Sequence, residues 1–333
     1  KARPDEAVRG TALMGSGNRT YGSEIRGDGR GSFLTLAHAL RLASHPQLSG
    51  SVKGLRQDAS ASIDDVSIVA RDKSIQVSGV VSGDPPIYAV VAYFDPDGGN
   101  DYNATTATAV PSADGRFTLS SDALVSGKAG QLRLFPLHAN GSAGGQMSRT
   151  KYRYSYSVAD DGTPDLSTIQ VQQQLAPIVA ALAGGDRDKA ISLAADIKLA
   201  KAATIAMRLT QPSIPTQDPA EFDGGSSVIS LTDFTTTSAT VGWARPAFNR
   251  VPDNTMLLES GGQIYETGIY AHAPARHMYQ LGKKWNSLSG KVGLASGHRG
   301  SVQFEITGDG KTVWKSQVIR SDNTVDFEVK LDG

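Results

Sequence analysis

The sequence predicts a mainly β protein in which two β-sandwiches are joined by a helical hairpin. Three observations support this fold class. Apolar residues alternate with polar ones over residues 63–158 and again from Val228, with turn residues in between, as in sandwich domains. Between Thr163 and Met207 the apolar spacing changes to the helical period. The composition agrees, because 36 glycines and only 7% aromatic residues are typical of short strands joined by turns.

The chain has 333 residues, enough for two or three domains. We place the boundaries where the apolar period changes and where proline and glycine accumulate. The predicted parts are a Gly-rich N-terminal segment with one helix (1–61), a sandwich of the immunoglobulin or fibronectin type (62–160), a helical hairpin (163–210), a Pro/Gly linker (211–225) and a second sandwich (226–333).

The N-terminal segment is dominated by Gly, Arg and Asp and shows one helical pattern. Ser32 is typical of a helix cap, and Phe33, Leu36 and Leu40 follow it at helical spacing. The pattern predicts a short helix that ends before Pro46.

The first sandwich contains two informative stretches. Residues 87–94 form a nearly continuous apolar run, which predicts a strand buried on both faces. Tyr152, Tyr154 and Tyr156 alternate along a later strand. Aromatic faces can stack on sugars, but we expect this stripe to pack against a neighbouring surface of the sandwich.

Asp95, Asp97 and Asp101 follow the apolar run within seven residues. Carboxylate oxygens at alternate positions suit Ca²⁺. The spacing differs from an EF-hand loop, because the twelfth position is Thr106, and a polar hairpin loop is the alternative interpretation. We expect no cofactor other than this possible calcium ion.

The helical region begins with Thr163-Pro164-Asp165, a capping residue followed by proline, and its first apolar stripe ends at Gly184-Gly185. A second helix is predicted from Asp186 to about Met207. Both helices have an apolar face, so we expect the hairpin to pack on a sandwich.

The composition excludes several classes of function. Lys plus Arg equals Asp plus Glu at 33 each, so no nucleic-acid partner is expected. The absence of cysteine excludes disulfides and a cysteine nucleophile. No apolar run is long enough to predict a membrane span.

The most informative motifs lie in the last third of the chain. They are GIYAHA from Gly268, YQLG from Tyr279, VG at Val292 and FEITGDGK from Phe304. The alternation of Val302, Phe304 and Ile306 before Gly308-Asp309-Gly310 also predicts a β-hairpin. Upstream, LTDF from Leu231 and GWARP from Gly242 complete the series.

In order and spacing these motifs resemble the NPCBM domain, related to the family-51 carbohydrate-binding modules, over residues 226–333. The resemblance implies a galactose-binding-like β-sandwich of jelly-roll type that binds carbohydrate. NPCBM domains usually continue through one more strand, so we expect part of the fold to lie beyond Gly333.

The resemblance and the chemistry of sugars together give a set of candidate contacts. A pyranose offers a weakly apolar face to an aromatic ring and hydroxyl groups to paired donors and acceptors. The candidates are Trp243, Asn249, Glu266, Tyr270, His272 and Arg276. His272 matches the characteristic histidine of the family, and we expect it either to contact the sugar or to support the site through a hydrogen bond. Trp285 and Trp314 are predicted to be core residues.

The sequence favours a non-catalytic carbohydrate-binding protein that recognises a terminal, galactose-like hexose on an extracellular or periplasmic glycan or polysaccharide. Two alternatives remain: a structural or adhesive surface protein with a protein partner, and the accessory part of a larger glycoside hydrolase. The chain lacks Gly-x-Ser-x-Gly, His-Glu-x-x-His and phosphate-loop motifs, so we do not expect an enzyme.

Overall fold

A computed structural model describes residues 60–84, 86–95, 105–138, 152–212, 214–223, 228–252, 256–296, 300–320 and 323–331. It divides the chain into two compact units, Lys1–Leu166 and Ser167–Gly333. The predicted mainly β fold is confirmed. The helix predicted after Ser32 lies outside the described residues.

Unit 1 is built from two antiparallel sheets. Its strands are β1 (Ser60–Arg71), β2 (Ser74–Asp84), β3 (Ile87–Asp95), β4 (Thr105–Ala109), β5 (Arg116–Ser121), β6 (Ala129–His138), β7 (Arg153–Val158) and β8 (Pro164–Asp165). One sheet has the order β1-β2-β5 and the other the order β4-β3-β6-β7-β8. This arrangement is typical of an antiparallel sandwich.

The apolar run predicted to be buried on both faces is strand β3, which lies between β4 and β6. Successive side chains of a strand point to opposite faces. Val90, Val91 and Ala92 are consecutive and each is 0% exposed. Both faces of β3 are therefore covered, and the prediction is confirmed.

The tyrosine stripe is packed inside unit 1. Tyr156 is 0% exposed, and the Tyr152 hydroxyl accepts a hydrogen bond from the Ile63 backbone N–H at 2.9 Å. Burial raises the pKa of Tyr154 to about 12. The stripe therefore belongs to the sandwich interior, as expected.

Unit 2 begins with the helices α1 (Ser167–Ala183), α2 (Arg187–Ala195) and α3 (Ala200–Thr210). The first helix starts later than predicted, because Pro164 pairs with Val158 and extends the second sheet before the chain turns into α1. The predicted second helix is divided at residues 196–199. At this break the Gln174 side chain of α1 accepts a hydrogen bond from the Leu199 N–H at 3.2 Å, which replaces a helical partner.

The rest of unit 2 consists of short strands paired in antiparallel ribbons. They are β9 (Ser238–Val241), β10 (Ala247–Phe248), β11 (Glu259–Ser260), β12 (Gln263–Ile264), β13 (Ile269–Tyr270), β14 (Ala275–Met278), β15 (Ser287–Gly293), β16 (Glu305–Gly308), β17 (Lys311–Lys315) and β18 (Thr324–Lys330). The pairs are β9 with β14, β10 with β13, β11 with β12, β15 with β18 and β16 with β17.

The β16–β17 ribbon confirms the hairpin predicted from the sequence. Gly308 pairs with Lys311, so Asp309 and Gly310 form a two-residue turn. Both turn residues have positive φ, 47° and 79°, as a type I′ turn requires. Trp314 on this ribbon lies half-buried beside Phe327, with the ring centroids 5.3 Å apart.

The helices and the β11–β12 hairpin share one core. Its buried residues come mostly from the helices, and Leu257 and Ile264 join them from the strand region. Two buried hydrogen bonds fix the contact. The Thr168 hydroxyl donates to the Gly262 carbonyl at 2.8 Å, and the Gln172 amide donates to the Glu259 carboxylate at 3.0 Å. The helices therefore form part of the same folded unit as the strands.

The other side of the β11–β12 hairpin contacts the β15–β18 ribbon. The Ser260 hydroxyl donates to the Leu294 carbonyl at 2.6 Å, and the Ser296 N–H donates to the Glu259 carbonyl at 2.8 Å. A Cβ added to Gly261 would lie 3.1 Å from the Thr324 side chain. The hairpin is thus held between the helices and a strand ribbon.

The described part of residues 211–225, the predicted linker, packs against Trp285. The Trp285 indole N–H donates to the Pro219 carbonyl at 3.1 Å, and its ring stacks on Phe222 with centroids 5.7 Å apart and an interplanar angle of 24°. Phe234 meets the same indole edge-on, with centroids 5.4 Å apart. This aromatic cluster ties the segment after α3 to the strands.

We predict that Gln172→Ala lowers the free energy of unfolding by about 1–2 kcal/mol, because it removes a buried hydrogen bond to a carboxylate. Thermal denaturation of the full chain measures the effect. Gln170→Ala is the matched control, since Gln170 is exposed on the same helix. Equal melting temperatures for the two variants would contradict a stabilising contact between α1 and the hairpin.

We also predict that Trp285→Ala destabilises unit 2 by about 2 kcal/mol and speeds proteolysis within residues 211–227. This loss is smaller than the loss expected for a fully buried tryptophan. The physical reason is the loss of stacking and of the indole hydrogen bond. Trp243→Ala, at a tryptophan that is 66% exposed, should leave the cleavage rate unchanged. Protection that persists in Trp285→Ala would show that other contacts hold the segment.

Candidate functional site

The candidate site is built on the end of the β9–β14 ribbon, where β9 leads into the loop 242–246. Val241 pairs with Ala275 as the last pair of the ribbon, and the Gly242 N–H donates to the His272 carbonyl at 2.9 Å. A Cβ at Gly242 would lie 2.6 Å from the Ala273 carbonyl oxygen, so a larger residue would force the two segments apart. Glycine therefore allows the loop to lie directly against residues 272–274.

Three aromatic side chains meet at this point, and we refer to Trp243, Tyr270 and His272 as the ring group. The Trp243 and His272 rings are perpendicular, with centroids 4.8 Å apart and an interplanar angle of 77°. The Tyr270 and His272 rings also meet edge-on, with centroids 5.5 Å apart. The Tyr270 hydroxyl lies 3.1 Å from His272 Nε2, within hydrogen-bonding distance. His272 thus links the other two rings.

Exposure differs within the ring group. Trp243 is 66% exposed, whereas Tyr270 and His272 are half-buried. Trp243 is therefore held by His272 on one side and presents much of its indole to solvent. An exposed indole beside a hydroxyl and an imidazole offers both an apolar surface and hydrogen-bonding groups to a ligand.

Asn249 supports the backbone next to the ring group. Its side-chain oxygen accepts hydrogen bonds from the Thr232 hydroxyl at 2.8 Å and from the Gly268 N–H at 3.1 Å. Its own N–H donates to the Gly268 carbonyl at 2.8 Å. Asn249 has a φ of 59°, a left-handed conformation that asparagine tolerates better than most residues. These contacts anchor the strand that continues into Tyr270.

Glu266 and Arg276 lie on either side of Tyr270 and His272 in the sequence, and their side chains make no hydrogen bond or ion pair with any residue in the described ranges. Glu266 is half-buried between β12 and β13. Arg276 is exposed and pairs with Thr240, one residue pair away from the end of the ribbon. The structure thus joins Trp243, Tyr270 and His272 by direct ring contacts, joins Asn249 through Gly268, and leaves Glu266 and Arg276 outside this network.

Arg245 is a residue that the sequence analysis did not select. It lies in the same loop as Trp243, and both ends of this loop are held to residues 270–272: Gly242 bonds to His272, and Ala247 pairs with Tyr270. Arg245 is exposed. The signal was present in the GWARP motif, but the motif alone does not show that the loop carrying its arginine is attached to Tyr270 and His272.

His277 lies on the opposite face of β14 from Arg276, and Tyr279 follows directly after the strand. His277 packs edge-on against Phe248, with centroids 5.8 Å apart, and its Nε2 has no hydrogen-bond partner among the described residues. Burial lowers the pKa of His277 below its usual 6.5 and raises the pKa of Tyr279 to about 12. Both groups are therefore neutral at neutral pH, and both side chains are half-buried.

The possible calcium ligands are in unit 1. Asp95 ends strand β3 and is buried at 6% exposure, while Asp97 and Asp101 lie outside the described residues. Within the described ranges no three His, Cys, Asp or Glu side chains are grouped as a metal site would require. The calcium loop stays a hypothesis about residues 95–101.

The region described above is a small β-rich module with an exposed tryptophan, Trp243, at the end of one ribbon. Residues 227–333 match the sequence model of the NPCBM/NEW2 domain, a carbohydrate-binding family, and this confirms the resemblance inferred from the motifs. No curated protein sequence matches the chain. Among the helices that the structure describes, none combines the length and apolarity needed to cross a membrane.

Solved structures of OgpA from Akkermansia muciniphila are similar to a minor part of the chain. A wild-type structure has a TM-score of 0.25 and 19% identity, and the match covers 33% of this chain and 30% of that one. A catalytically inactive OgpA in complex with an O-glycopeptide substrate, glycodrosocin, has a TM-score of 0.27 and 19% identity, covering 38% and 41%. The chain therefore spans less than half the length of these proteins.

We predict that the protein loses stability as the pH falls below about 6.5, in part because of His277. The unfolded chain binds a proton at this histidine at a higher pH than the folded chain does. The contribution of neutral His277 to stability is complete at pH values above the pKa that this histidine has in the unfolded chain. It is lost as the pH falls through the lower pKa that the histidine has in the folded chain. His277→Gln should flatten the fall of melting temperature between about pH 7 and pH 5.

Melting curves of the two proteins at several pH values check this prediction. His272→Gln is a control, since it removes a different histidine of the same module. Parallel curves for wild type and His277→Gln across the range would contradict the burial of a neutral His277.

Proposed function

We propose that the C-terminal module binds a terminal hexose, galactose-like, on a glycan or polysaccharide and catalyses no reaction. The observation that supports this most is the ring group, in which an exposed Trp243 is oriented by His272 beside the Tyr270 hydroxyl. A pyranose fits such a surface, because its apolar face stacks on an indole while its hydroxyl groups exchange hydrogen bonds with the neighbouring polar groups. The family match over residues 227–333 supports the same class of ligand.

The arrangement of carboxylates supports binding without catalysis. Glycoside hydrolysis normally requires two carboxyl groups placed on either side of the scissile bond. In the described part of residues 228–278 the carboxylates other than Glu266 have structural partners: Asp233 pairs with Arg208 at 3.0 Å, and Glu259 is buried against Gln172. Among the described residues of this stretch, Glu266 is therefore the one carboxylate without such a partner.

The proposed ligand also indicates a location. Glycans with exposed terminal hexoses are displayed outside the cell or in its envelope, so we propose an extracellular or periplasmic protein. A shallow, exposed surface makes few contacts, and we expect a binding free energy of about −4 to −6 kcal/mol, corresponding to millimolar to tens of micromolar dissociation constants.

Isothermal titration of the full chain with galactose and short galactosides tests the proposal. Trp243→Ala should weaken binding at least about tenfold, because the stacking surface is removed, while the melting temperature changes little at a residue that is 66% exposed. Val313→Ala is the control, since Val313 is an exposed apolar residue at 47% on the separate β16–β17 ribbon.

Unchanged affinity in Trp243→Ala would contradict the role of the ring group. Absence of binding to any sugar at millimolar concentration would contradict the function itself and would favour the alternative of a protein-binding surface.

A further inference from the structure

The residues around the ring group have more positive than negative side chains, although the whole chain is neutral. In the described stretches 238–252 and 265–278 the arginines are Arg245, Arg250 and Arg276, and the carboxylate is Glu266. All three arginines are exposed. Since Lys plus Arg equals Asp plus Glu at 33 each, this excess is a local feature and does not follow from the composition.

These arginines also differ from several other cations of unit 2. Arg208 pairs with Asp233, Lys291 with Asp326 and Lys315 with Glu305. The side chains of Arg245, Arg250 and Arg276 form no ion pair or hydrogen bond with any residue that the structure describes. Their guanidinium groups are therefore available to a ligand.

Arg245 is the arginine whose position relative to the ring group is best fixed. Its loop is attached at Gly242 to the His272 carbonyl and at Ala247 to Tyr270, so both ends of the loop lie next to residues 270–272. Arg245 is two residues from Trp243 in this loop. Arg250 follows Asn249, whose side chain is bonded to Gly268. Arg276 lies in the β9–β14 ribbon, one residue pair from the end formed by Val241 and Ala275.

We propose that the ring group binds a hexose bearing an anionic substituent, a carboxylate or a sulfate, and that Arg245 donates hydrogen bonds to this substituent. The inference rests on the proposed function, because it concerns the same sugar site. The planar guanidinium group matches the paired oxygens of a carboxylate or sulfate, and such charge-assisted hydrogen bonds are stronger than those between neutral groups. Trp243 would stack on the sugar ring while Arg245 selects its acidic group.

Galactose and galacturonic acid provide the test, because they differ only in a hydroxymethyl group that becomes a carboxylate. Titrations of the full chain should show that galacturonic acid binds about tenfold more tightly than galactose, the difference expected for one charge-assisted hydrogen-bonding pair. Galactose sulfate, as a third ligand, shows whether the site prefers a carboxylate or a sulfate. The preference for the acidic sugar should shrink when the ionic strength is raised from about 0.05 M to about 0.5 M.

Arg245→Gln should reduce the difference between galacturonic acid and galactose to less than about twofold. Lys311→Gln makes the same change of charge at an exposed position at the start of β17, and it should preserve the full difference.

Four results would overturn the inference. Equal affinities for galactose and its acidic derivatives would overturn it and leave the proposed sugar-binding function standing. A preference that persists in Arg245→Gln would overturn the assignment of the residue. Binding of the acidic sugars that is unchanged in Trp243→Ala would indicate a general anion-binding surface. Absence of binding to every sugar would overturn both the inference and the proposed function.

Discussion

The C-terminal unit depends on the position of the β11–β12 hairpin. On one side the hairpin accepts buried hydrogen bonds from Thr168 and Gln172 of α1, and on the other it is bonded to residues 294–296. A buried polar group without a partner is costly, so Gln172 and Glu259 favour one relative placement of helix and strand. The apolar core shared by the helices, Leu257 and Ile264 supplies the accompanying hydrophobic stabilisation.

This placement reaches the candidate site through a short stretch of chain. The hairpin continues directly into Gly268, where Asn249 fixes the backbone, and then into Tyr270 and His272. The loop with Trp243 and Arg245 is attached to those same residues at both of its ends. A helix far upstream in the sequence is thereby part of the framework that orients the exposed indole, and the folded unit is larger than the segment that matches the family.

The features that could be predicted from the sequence are those determined by local pattern. The I′ turn at Asp309 and Gly310, the doubly buried strand β3 and the family motifs all lie within short stretches. The contacts missing from the prediction join distant residues. Nothing near Gln172 indicates its bond to Glu259, 87 residues away, and nothing near Phe222 indicates that Trp285 will stack on it. The break between α2 and α3 was missed for the same reason, because its partner is Gln174 on another helix. Arg245 was overlooked because the attachment of its loop to Tyr270 follows from the pairing of β10 with β13.

The central claim is that Trp243, oriented by His272, is the surface on which a sugar lies. A crystal structure of the full chain with galacturonic acid or a galactoside tests it most directly. The account predicts a pyranose ring stacked on the open face of the Trp243 indole at van der Waals distance, about 4 Å, with its polar groups directed towards Tyr270, His272 and Arg245. A sugar bound elsewhere on the module, with the Trp243 indole free of contact, would contradict it.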